Sequence, residues 1–282
     1  MTGPASAEAI AILAGAGTLP SVVAAAAEAA GHRPVPIAIE GEADLASLAR
    51  WPAHRLRWGE IGRLFRILAS EGCGRAVFVG GISRRPDLGQ LAPDLGALRL
   101  LPRVFSLMRG GDDRLLAGVA AIFEERNVRI VSPLEVAPGL ALGTGVPTRR
   151  APSSDDLRDV ALATAAARAI GALDIGQAAV AVQGRVVGLE AAEGTDALLA
   201  RIADLRRERR IAASGGVLVK CMKPRQDPRL DLPTIGPTTA ENVARAGLSG
   251  VAGEAGRALV AGRAETIRAL DARGLFLLGV EA

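Results

Sequence analysis

The sequence predicts an α/β protein of two domains. An N-terminal α/β domain built on a parallel sheet precedes a C-terminal α/β domain. Three observations carry this reading. The chain has 282 residues, and domains commonly run about 100–200 residues. Short apolar runs alternate with segments of helical apolar spacing in both halves. Between Pro133 and Pro152, four prolines and three glycines break any sustained periodicity, as a connection would. The domains are therefore expected at 1–133 and 154–282, joined by a connection over 134–153.

Ala9–Ala14 (A-I-A-I-L-A) has the unbroken apolar character of a buried parallel strand. It runs into Gly15-Ala16-Gly17-Thr18-Leu19-Pro20 and an Ala-rich helix to about Ala30. Pro20 suits the first helical position, and free N–H groups at a helix start suit a phosphate. Gly15 and Gly17 are thus candidate ligand contacts, although a strand-to-helix turn needs glycine for its own sake. Pro20 stands where a dinucleotide fingerprint carries its third glycine, which counts against NAD. Residues 34–39 read as a second strand, 60–70 as a helix ending at Gly72, and 76–79 as a third strand. That strand runs into Gly80-Gly81-Ile82-Ser83-Arg84-Arg85-Pro86. Open α/β sheets bind ligands at this edge, so Gly81, Ser83 and Arg84 are candidates, with a solvated turn as the alternative. A helix over 98–108 follows. Gly110-Gly111-Asp112-Asp113 then opens another helix through Glu124, with Asp112 either its cap or a site carboxylate. Residues 129–131 close the unit.

In the second half, Ser153, Ser154 or Asp155 can cap a helix ending near Gly171. Runs over 178–182 and 185–191 flank Gln183-Gly184, a hairpin signal. Glu190, Glu193, Gly194, Thr195 and Asp196 follow at a strand-to-helix junction. Three carboxylates there make a candidate site, while Thr195 or Asp196 can equally cap a helix over 197–205. The run R-R-E-R-R at 206–210 is a solvated helix end or a contact for lipid headgroups. A strand over 216–220, a helix over 239–246, a strand near 250–252, a short run at 258–261, a helix over 265–273 and a strand over 275–280 complete the chain.

Composition narrows the chemistry. Aromatics are 2% and Tyr is absent, so base stacking and nucleic-acid binding are not expected. The net charge of +4 is mild. Two cysteines, Cys73 and Cys221, and two histidines, His32 and His54, give no zinc spacing and no Ser/His/Asp arrangement. The N-terminus lacks a positive leader, and no apolar run reaches the ~18 residues of a membrane span. A cytoplasmic protein, at most peripheral to a membrane, is expected.

The chain concentrates its charge at 220–236, K-C-M-K-P-R-Q-D-P-R-L-D-L-P-T-I-G. Lys220, Lys223, Arg225 and Arg229 can hold phosphate oxygens, and Gln226 can orient a phosphate or a water. Asp227 and Asp231 can recruit a hard cation such as Mg²⁺. Three prolines stiffen the run.

Six motifs together are similar to one family. They are L-A-G-A-G-T-L-P at 13–20, G-D-D-R-L-L at 111–116, L-D-I-G-Q at 173–177, E-A-A-E-G-T-D at 190–196, K-P-R-Q-D-P-R-L-D-L-P-T-I-G at 223–236 and A-G-L-S-G-V-A-G-E-A-G at 246–256. On these the chain resembles the bacterial UDP-2,3-diacylglucosamine pyrophosphatases of the LpxI type. Gly81 before Ile82-Ser83, and the residues Cys221 and Met222, depart mildly from the family pattern. The resemblance implies Mg²⁺-dependent hydrolysis to UMP and 2,3-diacylglucosamine 1-phosphate (lipid X) in lipid A synthesis. It also implies that the N-terminal domain is a Rossmann-like parallel sheet, that the C-terminal domain is mixed α/β, and that the active site lies in the interdomain cleft. It implies Asp231 as the catalytic carboxylate and a metal ligand, with Asp227 as a second ligand or a salt-bridge partner. Substrate contacts are expected from Gly15, Gly17, Thr18, Gly81, Ser83, Arg84, Asp112, Asp174, Gln177, Gly194, Thr195, Asp196, Lys220, Lys223, Gln226, Arg229 and Thr239. Expected partners are the substrate, lipid X, the inner-leaflet surface as a peripheral contact, and a second copy in a homodimer.

A geometric argument limits the metal set. In a straight strand Asp227 and Asp231 would hold their Cα atoms ~13 Å apart, at ~3.3 Å per residue. That is too far to share one Mg²⁺ through ~2.1 Å bonds. Either Pro228 bends the chain or only one aspartate serves the metal. Two readings compete with the hydrolase: an NAD-dependent oxidoreductase built on the 15–17 turn, and a non-catalytic nucleotide-binding regulatory protein.

Overall fold

The computed structural model describes residues 7–82, 94, 103 and 112–281, with side chains of the last span described from residue 117. Ser83, Arg84, the helix expected over 98–108 and the side chain of Asp112 lie outside the described residues. Strands β1 (Ala9–Ala14), β2 (Arg33–Ile39), β3 (His54–Leu56), β4 (Arg75–Val79) and β5 (Arg129–Ile130) form one parallel sheet, in the order β3-β2-β1-β4-β5. The chain starts at the centre, adds two strands on one side, then crosses to the other. This is the nucleotide-binding order, with its switch point between β1 and β4. Every residue of β1 is buried; Ala9, Ala11 and Leu13 pack into one core, while Ile10 and Ile12 point to the other face. Helix α1 (Leu19–Ala29) buries Leu19, Pro20, Val23, Ala24 and Ala27. It begins one residue ahead of Pro20, so the proline sits second in the helix rather than first.

Helix α2 (Ile61–Ser70) buries Leu64, Ile67 and Leu68. Its start is capped from a distance by Asp94, whose carboxylate accepts the amides of Gly62 and Arg63 at 3.0 and 2.7 Å. Helix α3 (Asp112–Glu124) adds Phe123, whose ring lies 5.1 Å from that of Phe65 and 5.4 Å from that of Phe78.

By its contacts the chain divides into two units. One comprises Met1–Gly139 with Arg229–Asp231, the other Leu140–Pro228 with Leu232–Ala282. Within the stretch rich in Pro and Gly lie helix α4 (Pro133–Val136), held by a Ser132/Glu135 capping box, and a 3₁₀ turn at Pro138–Leu140. Residues beyond it lie along the second unit. Ala141 bridges to Leu259, Gly145 to Gly279, and Thr148 Oγ1 accepts the Leu277 amide at 2.9 Å.

The second sheet is mixed, in the order β12-β10-β8-β6-β7. Strands β8 (Val217–Lys220), β10 (Gly250–Glu254) and β12 (Phe276–Val280) are parallel. β6 (Ala178–Val182) runs antiparallel to β8 and forms the expected hairpin with β7 (Arg185–Leu189). The two-residue side-chain period of a strand divides β6 between two cores. Ala178, Val180 and Val182 meet Leu218 on one face, while Ala179 and Ala181 meet Val217 and Val219 on the other. Helix α5 (Ser154–Ala172) covers the second face with Val160, Ala163 and Ala167. Helices α6 (Gly194–Arg207) and α7 (Pro237–Arg245) cover the first with Leu198, Leu199, Ile202, Ala240 and Val243. A small parallel pair, β9 (Thr234–Ile235) with β11 (Leu259–Val260), and helix α8 (Arg263–Asp271) complete the unit. Both units are α/β, as the sequence predicts.

The first sheet's N-terminal edge carries an ionic cluster. Arg33 donates to Glu71 at 2.8 Å, and His54 Nε2 lies 2.9 Å from the same carboxylate. The Arg33 bond, then the His54 bond, hold the Glu71 carboxyl below its ordinary 4.5. A depressed folded-state pKa gives stability that is present above the unfolded value and lost as pH falls below it. Glu71→Gln is therefore expected to lower Tm by about 2–4 °C at pH 7, as a loss of ~1 kcal/mol would. The gap should close as the pH falls from 5 to 3 in parallel thermal melts.

Candidate active site

The central strand β8 ends at Lys220 and releases the charged loop from its C-terminal end. The loop turns twice, at 224–225 and at 228–230. Its two stems are stitched together by Lys220, 7% exposed, whose Nζ donates to the Thr234 carbonyl at 3.0 Å. The first turn is closed by Gln226. Its side-chain oxygen accepts the Lys223 amide at 3.1 Å, and its own amide returns a 3.1 Å bond to the Lys223 carbonyl. The Lys223 ammonium forms an ion pair with Asp174, and Arg225 donates to the Ala172 carbonyl at 2.8 Å.

The segment after α5 provides the facing wall. Asp174 is in the left-handed region at φ 56°. Gln177 donates its amide to Glu190 Oε2 at 2.9 Å and accepts the Cys221 amide at 2.9 Å. The other Glu190 oxygen accepts Thr195 Oγ1 at 2.6 Å. One array around the end of β8 therefore brings together Asp174, Gln177, Thr195, Lys220, Lys223 and Gln226. Among the described residues the side-chain oxygen of Gln177 is buried with no partner, and an acceptor left so is costly unless a ligand donor meets it. Gly176 makes the close approach possible: a Cβ there would lie 2.2 Å from the Glu190 carbonyl oxygen. Gly176→Ala is expected to cost about 1–3 kcal/mol through overpacking, measured as a shift in urea midpoint.

The three carboxylates at 190–196 do not act together. Glu190 is buried and braces Gln177 and Thr195, Glu193 lies 3.6 Å from Arg201, and Asp196 accepts Asn242 at 2.7 Å. The helix starts earlier than the sequence suggests, at Gly194, so Thr195 and Asp196 lie in its first turn. Thr239 likewise lies inside α7, where its hydroxyl accepts the Gly236 amide at 3.2 Å. Arg229 donates to Glu124 at 2.7 Å, and Leu230 belongs to the N-terminal core.

The turn at 228–230 lies between Asp227 and Asp231, so the straight-strand separation does not apply. Both aspartates are partly exposed. Among the described residues no group of three or more His, Cys, Asp and Glu could hold a metal. A carboxylate is nonetheless the donor type that Mg²⁺ takes, since it binds through one or two carboxylates, waters and substrate phosphates rather than through a full protein cage.

In the first unit, Gly15 and Gly80 meet edge to edge at the switch point. A Cβ on Gly15 would come 2.4 Å from the Gly81 carbonyl oxygen, and one on Gly80 2.6 Å from that of Ala16. Gly17 has φ 87° with open space around its Cα, and Thr18 is exposed at the start of α1. Glu40, exposed directly after β2, stands where nucleotide-binding folds place the acid that holds ribose hydroxyls. The sequence reading missed it; an acid one residue beyond an apolar strand was the available signal. Nucleophilic thiols are excluded, since burial pushes Cys73 up to about 11 and Cys221 up to about 12. His32 and His54 lie at the N-terminal edge of the first sheet, away from the β1 and β4 turns.

Residues 9–140 match the model of the LpxI N-terminal domain, and residues 143–278 that of the LpxI C-terminal domain. The chain is also 44% identical over 276 residues to the UDP-2,3-diacylglucosamine pyrophosphatase LpxI of Caulobacter vibrioides, covering 96% of each chain. With both domain models matched in order and that identity sustained across nearly the whole length, the chain belongs to the LpxI family.

Proposed function

We propose that the protein hydrolyses the pyrophosphate of UDP-2,3-diacylglucosamine, yielding UMP and 2,3-diacylglucosamine 1-phosphate in lipid A synthesis. The observation that carries this is the near full-length identity to a pyrophosphatase of that name, joined to the loop after β8 that gathers cations and two carboxylates. Water adds to one phosphorus, the bridging P–O bond breaks, and the leaving phosphate takes the electron pair. The chain's part is to neutralise charge that grows on the phosphoryl oxygens. Lys223 supplies an ammonium that Asp174 holds in place. Arg225 and Arg229 lie on the same loop, and Gln226 fixes the first turn. Lys220 keeps the loop's stems together while presenting its charge at the base.

Asp231 acts as the catalytic carboxylate and would hold Mg²⁺ or the attacking water, with Asp227 as a second ligand or a salt-bridge partner. Bound Mg²⁺ would supply Lewis-acid stabilisation of the phosphoryl oxygens. The two acyl chains of the substrate favour peripheral contact with the cytoplasmic face of the inner membrane. No described helix is long and apolar enough to cross a membrane.

The test is purified protein with the diacylated nucleotide sugar in mixed micelles, read as UMP and sugar phosphate. Release of both in equal amounts, with unacylated UDP-sugars turned over at least about 100-fold more slowly, is expected. Equal rates on the unacylated compounds would remove the lipid from the assignment.

A further inference from the structure

Glu254 takes no part in the reaction above, yet its carboxylate sits against the loop that performs it. It ends β10, the strand beside β8, and is 2% exposed. The register pairs Gly253 with Lys220, which brings Glu254 level with the first loop residue. One carboxylate oxygen accepts both Arg168 Nε at 3.0 Å and the terminal guanidinium nitrogen at 2.7 Å. The other accepts the Met222 amide at 3.1 Å. Arg168 projects from α5 with its side chain 46% exposed. Its guanidinium is charged at any working pH, and the hydrogen bond to Glu254 raises its pKa further. The neighbouring Cys221 thiol is neutral, so the facing charges are one cation and one anion.

An ion pair that buries a carboxylate is a poor device for stability, because desolvation of that charge offsets the attraction. What such a pair adds is direction. Here it points at one backbone amide, immediately before Lys223.

We propose that Glu254 and Arg168 are a positioning pair that sets the direction in which the loop leaves β8, and so places Lys223 and Asp227. The proposal rests on the reading of that loop as catalytic. Misplacing a reacting group by about 1 Å can cost about 100-fold in rate, so a single amide bond at the root of the loop has leverage over both residues.

The experiment uses the full chain with two readouts. The first is hydrogen exchange of the amides at 222–226 in Glu254→Gln, Glu254→Ala, Arg168→Lys and Arg168→Ala. The expected result is Met222 exchange at least about tenfold faster in Glu254→Ala, as a lost hydrogen bond allows, with β8 and β10 protection unchanged. The second is steady-state UMP release. In Glu254→Gln, kcat should fall at least about tenfold and KM rise at least about threefold, and Arg168→Lys should recover activity that Arg168→Ala lacks. A mere loss of folded molecules would lower kcat and leave KM unchanged, and that result overturns the proposal. So does unaltered Met222 exchange in the folded variants. Should Glu254→Ala fail to fold, the isosteric Glu254→Gln decides. If the wild type itself releases no UMP, the functional reading falls, while the exchange readout still judges whether the pair orders the loop.

Discussion

Asp231→Ala is expected to lower kcat by at least about 10³-fold while changing substrate affinity less than about threefold. The expectation follows from what else the loop holds. Its cations serve the ground-state pyrophosphate as well as the transition state, so they govern affinity. A carboxylate repels the substrate phosphates, and only its hold on a metal or a water repays that repulsion during reaction. Removing Asp231 should therefore spare binding and abolish chemistry. Asp227→Ala tests the second ligand in the same assay: a loss of similar size assigns both carboxylates to the metal, and a loss below about tenfold leaves Asp231 alone. Single-turnover rates together with the binding of the diacylated nucleotide sugar decide between these. An Asp231→Ala enzyme that turns over near the wild-type rate would remove the residue from the mechanism.

Lys223→Ala should have the next largest effect, a fall in kcat/KM of about 10²-fold, carried mostly by KM. The side chain is buried, with its ammonium on Asp174. Loss of a charge-assisted contact to phosphate costs about 1.5–3 kcal/mol. A second cost adds to it: the partly buried Asp174 loses its cation and becomes a negative charge beside the phosphates. Asp174→Asn separates the two costs. It leaves the cation in place and removes only the group that holds it, so a loss below about tenfold is expected. Steady-state kinetics of both variants test this ranking, and a greater loss in Asp174→Asn than in Lys223→Ala would reverse it.

Much of the fold was legible because its strands are unbroken apolar runs bounded by turn residues. β1, β4, β6, β8 and β12 each announce themselves, and Gln183-Gly184 marks the hairpin. What escaped was short or dictated by partners. β3 is three residues and β9 is two, too brief for any period to show. Helix α4 lies inside a stretch whose prolines and glycines suggest none, although its Ser132/Glu135 capping box was there to be read.

The site divides in the same way. The local density of charge at 220–236 was visible, and so was the glycine turn after β1. Asp174 and Lys223 are 49 residues apart, and no local pattern joins them; the resemblance supplied Asp174, and the fold then showed its partner. Lys220 reads as one more phosphate cation, yet its ammonium reaches the Thr234 carbonyl across the stems of the loop. Glu254 lies in the A-G-L-S-G-V-A-G-E-A-G motif at 246–256, but its role was not legible, because an acid at the end of a strand looks solvated until the Met222 amide of the neighbouring loop is seen upon it.

Splitting of the UDP-2,3-diacylglucosamine pyrophosphate with Mg²⁺ is tested most directly by UMP release from metal-stripped wild-type protein, with EDTA and then with Mg²⁺ restored. Linear UMP formation that EDTA stops and excess Mg²⁺ recovers is expected. Release that EDTA leaves unchanged would contradict the role of the metal, and absence of UMP with Mg²⁺ present would contradict the reaction.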